Sequence, residues 1–171
     1  MKHYILSAVF CLFATIGVAG PQYVDRTGYA VSGYDVVAYF GLPQTQVGKT
    51  QAKPIPGRTD ITAEYNGATF AFSSEKNRAL FQANPAKYVP QYDGHCAYGV
   101  AVGNKVPGNP NLWRIVDGKL FLNITVDVED TWERDIPGYI SKAKRRWTRL
   151  ENNRASRDRV PAFRSQAPIT N

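Results

Sequence analysis

The sequence predicts a small single α+β domain with two β-hairpins, several short helices, a C-terminal helix and a disordered basic tail. Three observations predict it. Asn66-Gly67 and Asp117-Gly118 each join two short runs rich in aromatic and β-branched residues, and both dipeptides accept the positive φ values of a two-residue hairpin turn. Ile136, Tyr139, Ile140, Ala143 and Trp147 recur at spacings of three and four, which is one apolar stripe of a helix. Past residue 150 that pattern stops, and residues 152–171 are polar and basic with Pro161 and Pro168. A chain of 171 residues that is 43% apolar, with 10 Tyr, 8 Phe and 3 Trp, suffices for one packed core.

Taken in order, residues 1–19 read as a secretory signal peptide. Lys2 gives a basic start, an apolar run extends from Tyr4 to Val18, and Gly17, Ala19 and Gly20 supply small residues for cleavage after Ala19. The run is short for a membrane span. The expected location is therefore outside the cytoplasm, periplasmic or secreted. Residues 20–30 form a polar lead-in, and the domain is expected over residues 31–150.

In Gly33-Tyr34-Asp35 followed by Val36-Val37-Ala38-Tyr39-Phe40, Asp35 can cap a helical turn. Residues 41–59, with Pro43, Pro54 and Pro56, read as a long loop. The first hairpin pairs Ile61–Tyr65 with Ala68–Phe72, and Phe70 and Phe72 alternate onto its core face. Ser73 and Ser74 can cap a helix to about Ala83, with Leu80 and Phe81 facing inward. Asn84-Pro85 restarts a helical turn, Asn84 as cap and Pro85 first, where its missing N–H costs nothing. Asp93-Gly94 is a turn. Cys96 to Val102 reads as a short helix with Cys96 in its first turn and Gly103 at its end. Residues 104–111 read as a loop. The second hairpin pairs Trp113–Val116 with Lys119–Asn123. A short helix over residues 126–134 holds Trp132. Asp135 then caps a longer helix to about Leu150, with Pro137 in its first turn.

Charge is uneven along the chain. Residues 142–171 carry nine Lys or Arg and two Asp or Glu, whereas residues 1–141 carry twelve of each. The formal charge of +7 thus belongs to the C-terminus. A basic end of this kind suits an anionic envelope surface, and for an exported chain nucleic acid is the least fitting partner.

Chemistry concentrates at His95-Cys96. Without the leader, Cys96 is the one cysteine and His95 the one histidine, and no methionine remains. An internal disulfide is then excluded. A thiolate near a helix N-terminus is both a nucleophile and a soft-metal ligand. Cys96 and His95 are the candidate metal ligands, with Asp93, Asp35 and Tyr39 as supporting oxygen donors. Copper(I), or another soft transition metal, tolerates so few ligands, whereas structural zinc wants four and no CxxC is present. The competing readings are a thiolate enzyme or redox protein using Cys96, and a core cysteine in a domain that binds through its basic end. No Gly-x-Ser-x-Gly, HExxH, phosphate loop or dinucleotide fingerprint appears, so turnover is the lesser expectation. Tyr65, Tyr88, Tyr92, Tyr98 and Trp113 suit a core better than a ligand pocket.

From Val31 to Phe40 the chain resembles the YHS-domain family, in particular its exported, stand-alone branch. The resemblance continues through Tyr65-Asn66-Gly67, Phe70–Ser74, Asn77, Phe81, Pro85, Lys87-Tyr88, Gln91-Tyr92, Gly94 and Cys96-Ala97. It then runs through Trp113, Val116–Leu120, Asn123 and Trp132 to Asp135–Tyr139, and covers about residues 31–147. It implies a small α+β unit in which several relatives bind heavy metals through cysteines. In those relatives one cysteine lies near the start and others follow the hairpin. Here those places read Asp35–Ala38 and Phe72-Ser73-Ser74. Cys96 matches a cysteine of the exported branch, commonly preceded by tyrosine where this chain has His95.

Overall fold

The structure, a computed structural model, describes residues 21–167. The expected signal peptide, like residues 168–171 of the expected tail, lies outside the described residues. Five helices and two antiparallel two-stranded sheets make an α+β domain.

The first hairpin is β1 (Arg58–Tyr65) and β2 (Ala68–Phe72). Asn66 and Gly67 take φ values of 48° and 71°, as its turn requires. Register then runs from Tyr65 opposite Ala68 to Thr62 opposite Ala71, and a bulge carries β1 back to Arg58. The alternation places Phe70 and Phe72 in the core. Next come α1 (Glu75–Ala83) and α2 (Pro85–Tyr88). Ser74 caps α1, its side chain accepting from the Asn77 N–H at 3.2 Å. Phe81 packs against both Phe70 and Phe72, at centroid separations of 4.9 and 5.0 Å. Leu80, expected inward beside it, is 41% exposed. Neighbouring helix positions diverge by about 100°, and this helix offers the core a stripe wide enough for Phe81 alone. The Asn84 side chain makes no cap bond, although Pro85 opens α2 as expected.

Next are α3 (Ala97–Val102) and the second hairpin, β3 (Asn109–Val116) and β4 (Lys119–Asn123). Residues 109–111, expected in a loop, belong to β3: Asn109 pairs with Asn123 across a bulge. Asp117 and Gly118 turn at φ 49° and 70°. Helices α4 (Val126–Glu133) and α5 (Ile136–Leu150) follow. The Asp135 side chain caps α5 through the Gly138 N–H at 3.0 Å.

The two hairpins share one core. Phe70 and Phe72 meet Trp113, Leu120 and Leu122 there, closed by Ala30, Tyr34, Val36 and Tyr39 from the start of the domain. On the far side of the second hairpin, Trp132 packs on Phe121 and Ala97, and α5 lays Ala143 against Val100 and Ala101. The stripe read from the sequence of α5 does face inward, but only Ala143 is fully covered. The five aromatics weighed as pocket candidates pack in or against these clusters, Trp113 fully buried.

The long loop is fastened from the second hairpin. Arg114 pairs with Glu133 and donates to the carbonyls of Thr45 and Gln46 at 3.1 and 3.5 Å, while Glu133 accepts from the Gly48 N–H at 2.5 Å.

The expectation of a disordered tail is corrected over residues 151–167. The stretch is irregular, as its composition requires, but lies on the domain. Val160 and Ala167 are buried, Ser165 Oγ donates to the Ser32 carbonyl at 2.7 Å, and the Gln166 N–H donates to the Tyr34 hydroxyl at 2.9 Å. Backbone groups of an irregular chain can be satisfied by a folded surface as well as by water. Residues 21–30 are likewise built in, with Tyr23, Tyr29 and Ala30 buried.

Glu129, beside the Arg114–Glu133 pair and 9% exposed, has its pKa pushed up to about 7 by burial, then by the Glu133 charge. Burial favours its protonated form, so Glu129 costs the fold stability as pH rises from its ordinary 4.5 to about 7. We expect Glu129→Gln to gain about 1 to 3 kcal/mol relative to wild type across that window, measured by urea unfolding at stepped pH. A constant difference across the window would show that Glu129 does not titrate there.

Candidate functional site

The turn Gln91–Gly94 delivers His95 and Cys96 to the second hairpin. Tyr92, Asp93 and Gly94 all have positive φ, at 58°, 54° and 78°. Three such residues in succession reverse the chain, and the Tyr23 N–H donates to the Asp93 carbonyl at 2.8 Å to hold the reversal. His95 and Cys96 then run extended (φ −85° and −61°, ψ 159° and 123°) and bridge to Pro107 and Leu122 respectively. On extended backbone, successive side chains point to opposite faces. The two candidate ligands therefore diverge.

Cys96 is the N-cap of α3 rather than part of its first turn. It is 0% exposed. Sγ accepts from the Gly99 N–H at 3.3 Å and faces Asn123 Oδ1 at 3.6 Å, and the same oxygen accepts from the Tyr98 N–H at 3.2 Å. Burial pushes the thiol pKa up to about 11 against the pull of the N–H at Gly99. At neutral pH Cys96 is thus a thiol, donating to Asn123, and a weak nucleophile.

His95, also 0% exposed, uses both ring nitrogens. Nε2 accepts from the Ser156 N–H at 3.1 Å, which leaves Nδ1 to carry the proton it gives the Tyr92 carbonyl at 2.9 Å. Tyr23 and Trp147 flank the ring at 5.9 and 6.5 Å. Burial, with the Lys105 charge in addition, lowers its pKa to about 4. The imidazole is neutral, with its free lone pair already engaged by the segment beyond α5.

Asp93 lies on the same turn, and Oδ1 accepts from Gln22 Nε2 at 2.8 Å. Burial raises its pKa to about 6, opposed by Lys105 and reinforced by Glu151. Asp35 and Tyr39 are elsewhere. The Tyr39 hydroxyl donates to the Pro110 carbonyl at 2.9 Å, its ring edge-on to Trp113 at 5.3 Å. Burial drives its pKa well above the ordinary value.

Asp35 is 0% exposed and gathers five donors. Oδ1 accepts from the N–H groups of Val37 and Ala38, at 2.9 and 3.2 Å. Oδ2 accepts from the Ser73 N–H, Ser73 Oγ and Asn77 Nδ2, at 2.8, 2.6 and 2.7 Å. A buried carboxylate is stable only when its acceptor sites are so filled. Asp35 and Ser73 lie in the two stretches, Asp35–Ala38 and Phe72-Ser73-Ser74, where the resemblance implied cysteines. The fold brings them together, and Ser73 spends its N–H and hydroxyl on the Asp35 carboxylate.

Of the five sequence-derived candidates, only Asp93, His95 and Cys96 share a neighbourhood, and their side chains answer to Gln22, Ser156 and Asn123. Among the described residues, no group of three or more His, Cys, Asp or Glu is placed to hold a metal ion. The donor sets at Cys96 and at Asp35 do not fit one. Ser73, Asn77, Asn123 and Ser156 were not singled out from the sequence as site residues, because each acts through a partner at least 25 positions away.

The YHS domain family model matches residues 50–92. The match takes in the end of the long loop, the first hairpin, α1 and α2, and stops three residues before His95. Neither a curated protein nor a solved structure matches the chain.

Two measurements test this site. Asp35→Ala leaves buried donors without an acceptor, and an expected loss of about 3 to 5 kcal/mol is read from urea unfolding. An unchanged midpoint would remove Asp35 from the centre of the fold. For His95, the depressed pKa means stability that is full above 6.5 and lost as pH falls toward 4. A proton on Nε2 also displaces the Ser156 N–H. We expect the His95 ring to titrate near pH 4 by NMR, with the Ser156 amide losing exchange protection together with it. Titration near 6.5 would contradict the contact.

Proposed function

We propose that this chain is an exported module without turnover, which docks on a polyanionic partner of the cell envelope through the basic face that begins at α5. One observation carries the reading. All nine Lys and Arg side chains between residues 142 and 164 are exposed, and none forms an ion pair with a carboxylate among the described residues. Lys142, Arg145 and Arg149 recur at the helical spacing on the side of α5 away from Ala143 and Trp147, and Arg146 flanks that side with its guanidinium beside Gly103. Cations left unpaired on a rigid support form a field that attracts anions, strongest at low salt.

The YHS match supports a second reading, a soft-metal carrier, with copper the most plausible ion and Cys96 as anchor beside His95. The geometry weighs against it. Cys96 would have to lose its proton from a pKa near 11 and leave Asn123, and His95 would have to release Ser156.

One experiment separates them. Copper(I) and zinc are titrated into wild type and Cys96→Ala, and binding to a sulfated polysaccharide is measured at low ionic strength for wild type and for Lys142→Gln/Arg145→Gln/Arg146→Gln/Arg149→Gln. We expect no stoichiometric metal in either protein. At about 1 kcal/mol per cation near an anionic surface, the fourfold variant should bind at least ~100-fold more weakly. Stoichiometric copper lost on Cys96→Ala would establish the carrier instead, and unchanged polymer binding would end the docking reading.

A further inference from the structure

The segment after α5 encloses space as it crosses the domain. A cleft of about 440 Å³ lies between residues 23–26 and residues 156–163. A second of about 530 Å³ continues from it, sharing Asp25, Arg26 and Phe163, and ends at Arg164 and Ser165. Each is of the size that holds a small organic ligand.

Its walls are fixed. Tyr23 holds both sides, its N–H donating to the Asp93 carbonyl at 2.8 Å and its hydroxyl to the Asp158 carbonyl at 3.0 Å. Further along, Ser165 and Gln166 are bonded to Ser32 and Tyr34, and Phe163 leans on Tyr34 at 6.5 Å. A preformed cleft loses little freedom when a ligand enters.

Its charge is unspent. Arg26, Arg157, Arg159 and Arg164 line the two lobes, against Asp25 and Asp158. Each carboxylate spends one oxygen locally: Asp25 Oδ1 accepts from the N–H and hydroxyl of Thr27 at 2.9 and 2.5 Å, and Asp158 Oδ2 from the Ser156 hydroxyl at 3.2 Å. Among the described residues no carboxylate pairs with any of the four arginines. Guanidinium groups match carboxylate, sulfate and phosphate in two-point geometry. Phe163 lines both lobes and is the aromatic side chain they share.

We infer that this cleft binds one anionic sugar unit of a polysaccharide, its carboxylate, sulfate or phosphate held by Arg26 and Arg159 and its ring against Phe163. The inference rests on the docking reading above and gives it a specific seat, with α5 adding longer-range attraction. A lipid surface suits the place less well. The aromatic groups stand inside the cleft, Tyr23 buried and Phe163 half-buried, and do not project as an apolar face would need to for insertion.

The test uses a sulfated tetrasaccharide, inorganic phosphate and anionic phospholipid vesicles as probes, with binding followed by calorimetry. Wild type is expected to bind the tetrasaccharide one to one. Arg26→Gln/Arg159→Gln should weaken that binding at least ~10-fold, at about 1.4 kcal/mol per decade, with an unchanged circular dichroism spectrum. Phe163→Leu, which keeps an apolar contact, should weaken it less. The fourfold α5 variant should keep tetrasaccharide affinity within ~3-fold while losing the long polymer. Equal binding by wild type and the double arginine variant overturns the cleft. So does inorganic phosphate bound as tightly as the sugar, or vesicle binding without tetrasaccharide binding. If the tetrasaccharide fails but the long polymer still binds through α5, the cleft is wrong and the docking reading stands. If neither binds, both fall.

Discussion

The carboxylate of Asp35 is the constraint on which the first half of the molecule turns. Five donors from three parts of the chain converge on it: the turn that follows it, the exit of the first hairpin, and the first turn of α1. A charge without exposure has no solvent to fall back on, so these segments hold together or all lose their partner. Where the resembling metal-binding domains are implied to bring cysteines to an ion, this chain brings N–H and O–H groups to an anion. The central group has the opposite sign, and the ligands are donors instead of acceptors.

The second half is tied differently. Asn123 receives both the Cys96 thiol and the Tyr98 N–H, fixing the start of α3 to β4. His95 passes the linkage outward to Ser156. The basic segment is thus fastened near its beginning by a neutral imidazole and near its end by Ser165 and Gln166, with its arginines left outside. Fastening the backbone while leaving the side chains free means that the entropy of ordering this chain segment is met by folding.

What was legible in the sequence was local. Asn66-Gly67 and Asp117-Gly118 specify their hairpins because few other residues tolerate that turn. Asp135 and the stripe from Ile136 to Trp147 specify α5 from period and cap alone. The YHS resemblance found the stretch that the family model matches. What failed was whatever depended on distant partners. Leu80 beside Phe81 differs from it only by where the core happens to end. Cys96 read equally as an activated thiol and as a core residue, because a helix dipole was visible while the burial that decides between them was not. The segment past 150 lacks any period and so read as disorder, yet Ser32, Tyr34 and His95, more than 60 positions earlier, give it a place.

The protonated, enclosed Cys96 has a consequence for the life of the chain. In the fold its sulfur is enclosed, and its pKa near 11 leaves almost no thiolate at neutral pH. In the unfolded chain the same sulfur is open and has an ordinary pKa of about 8.5. Its susceptibility to oxidation and mixed-disulfide formation is therefore confined to molecules that have not folded or have come apart. Among the described residues this one thiol therefore distinguishes opened copies chemically from folded ones.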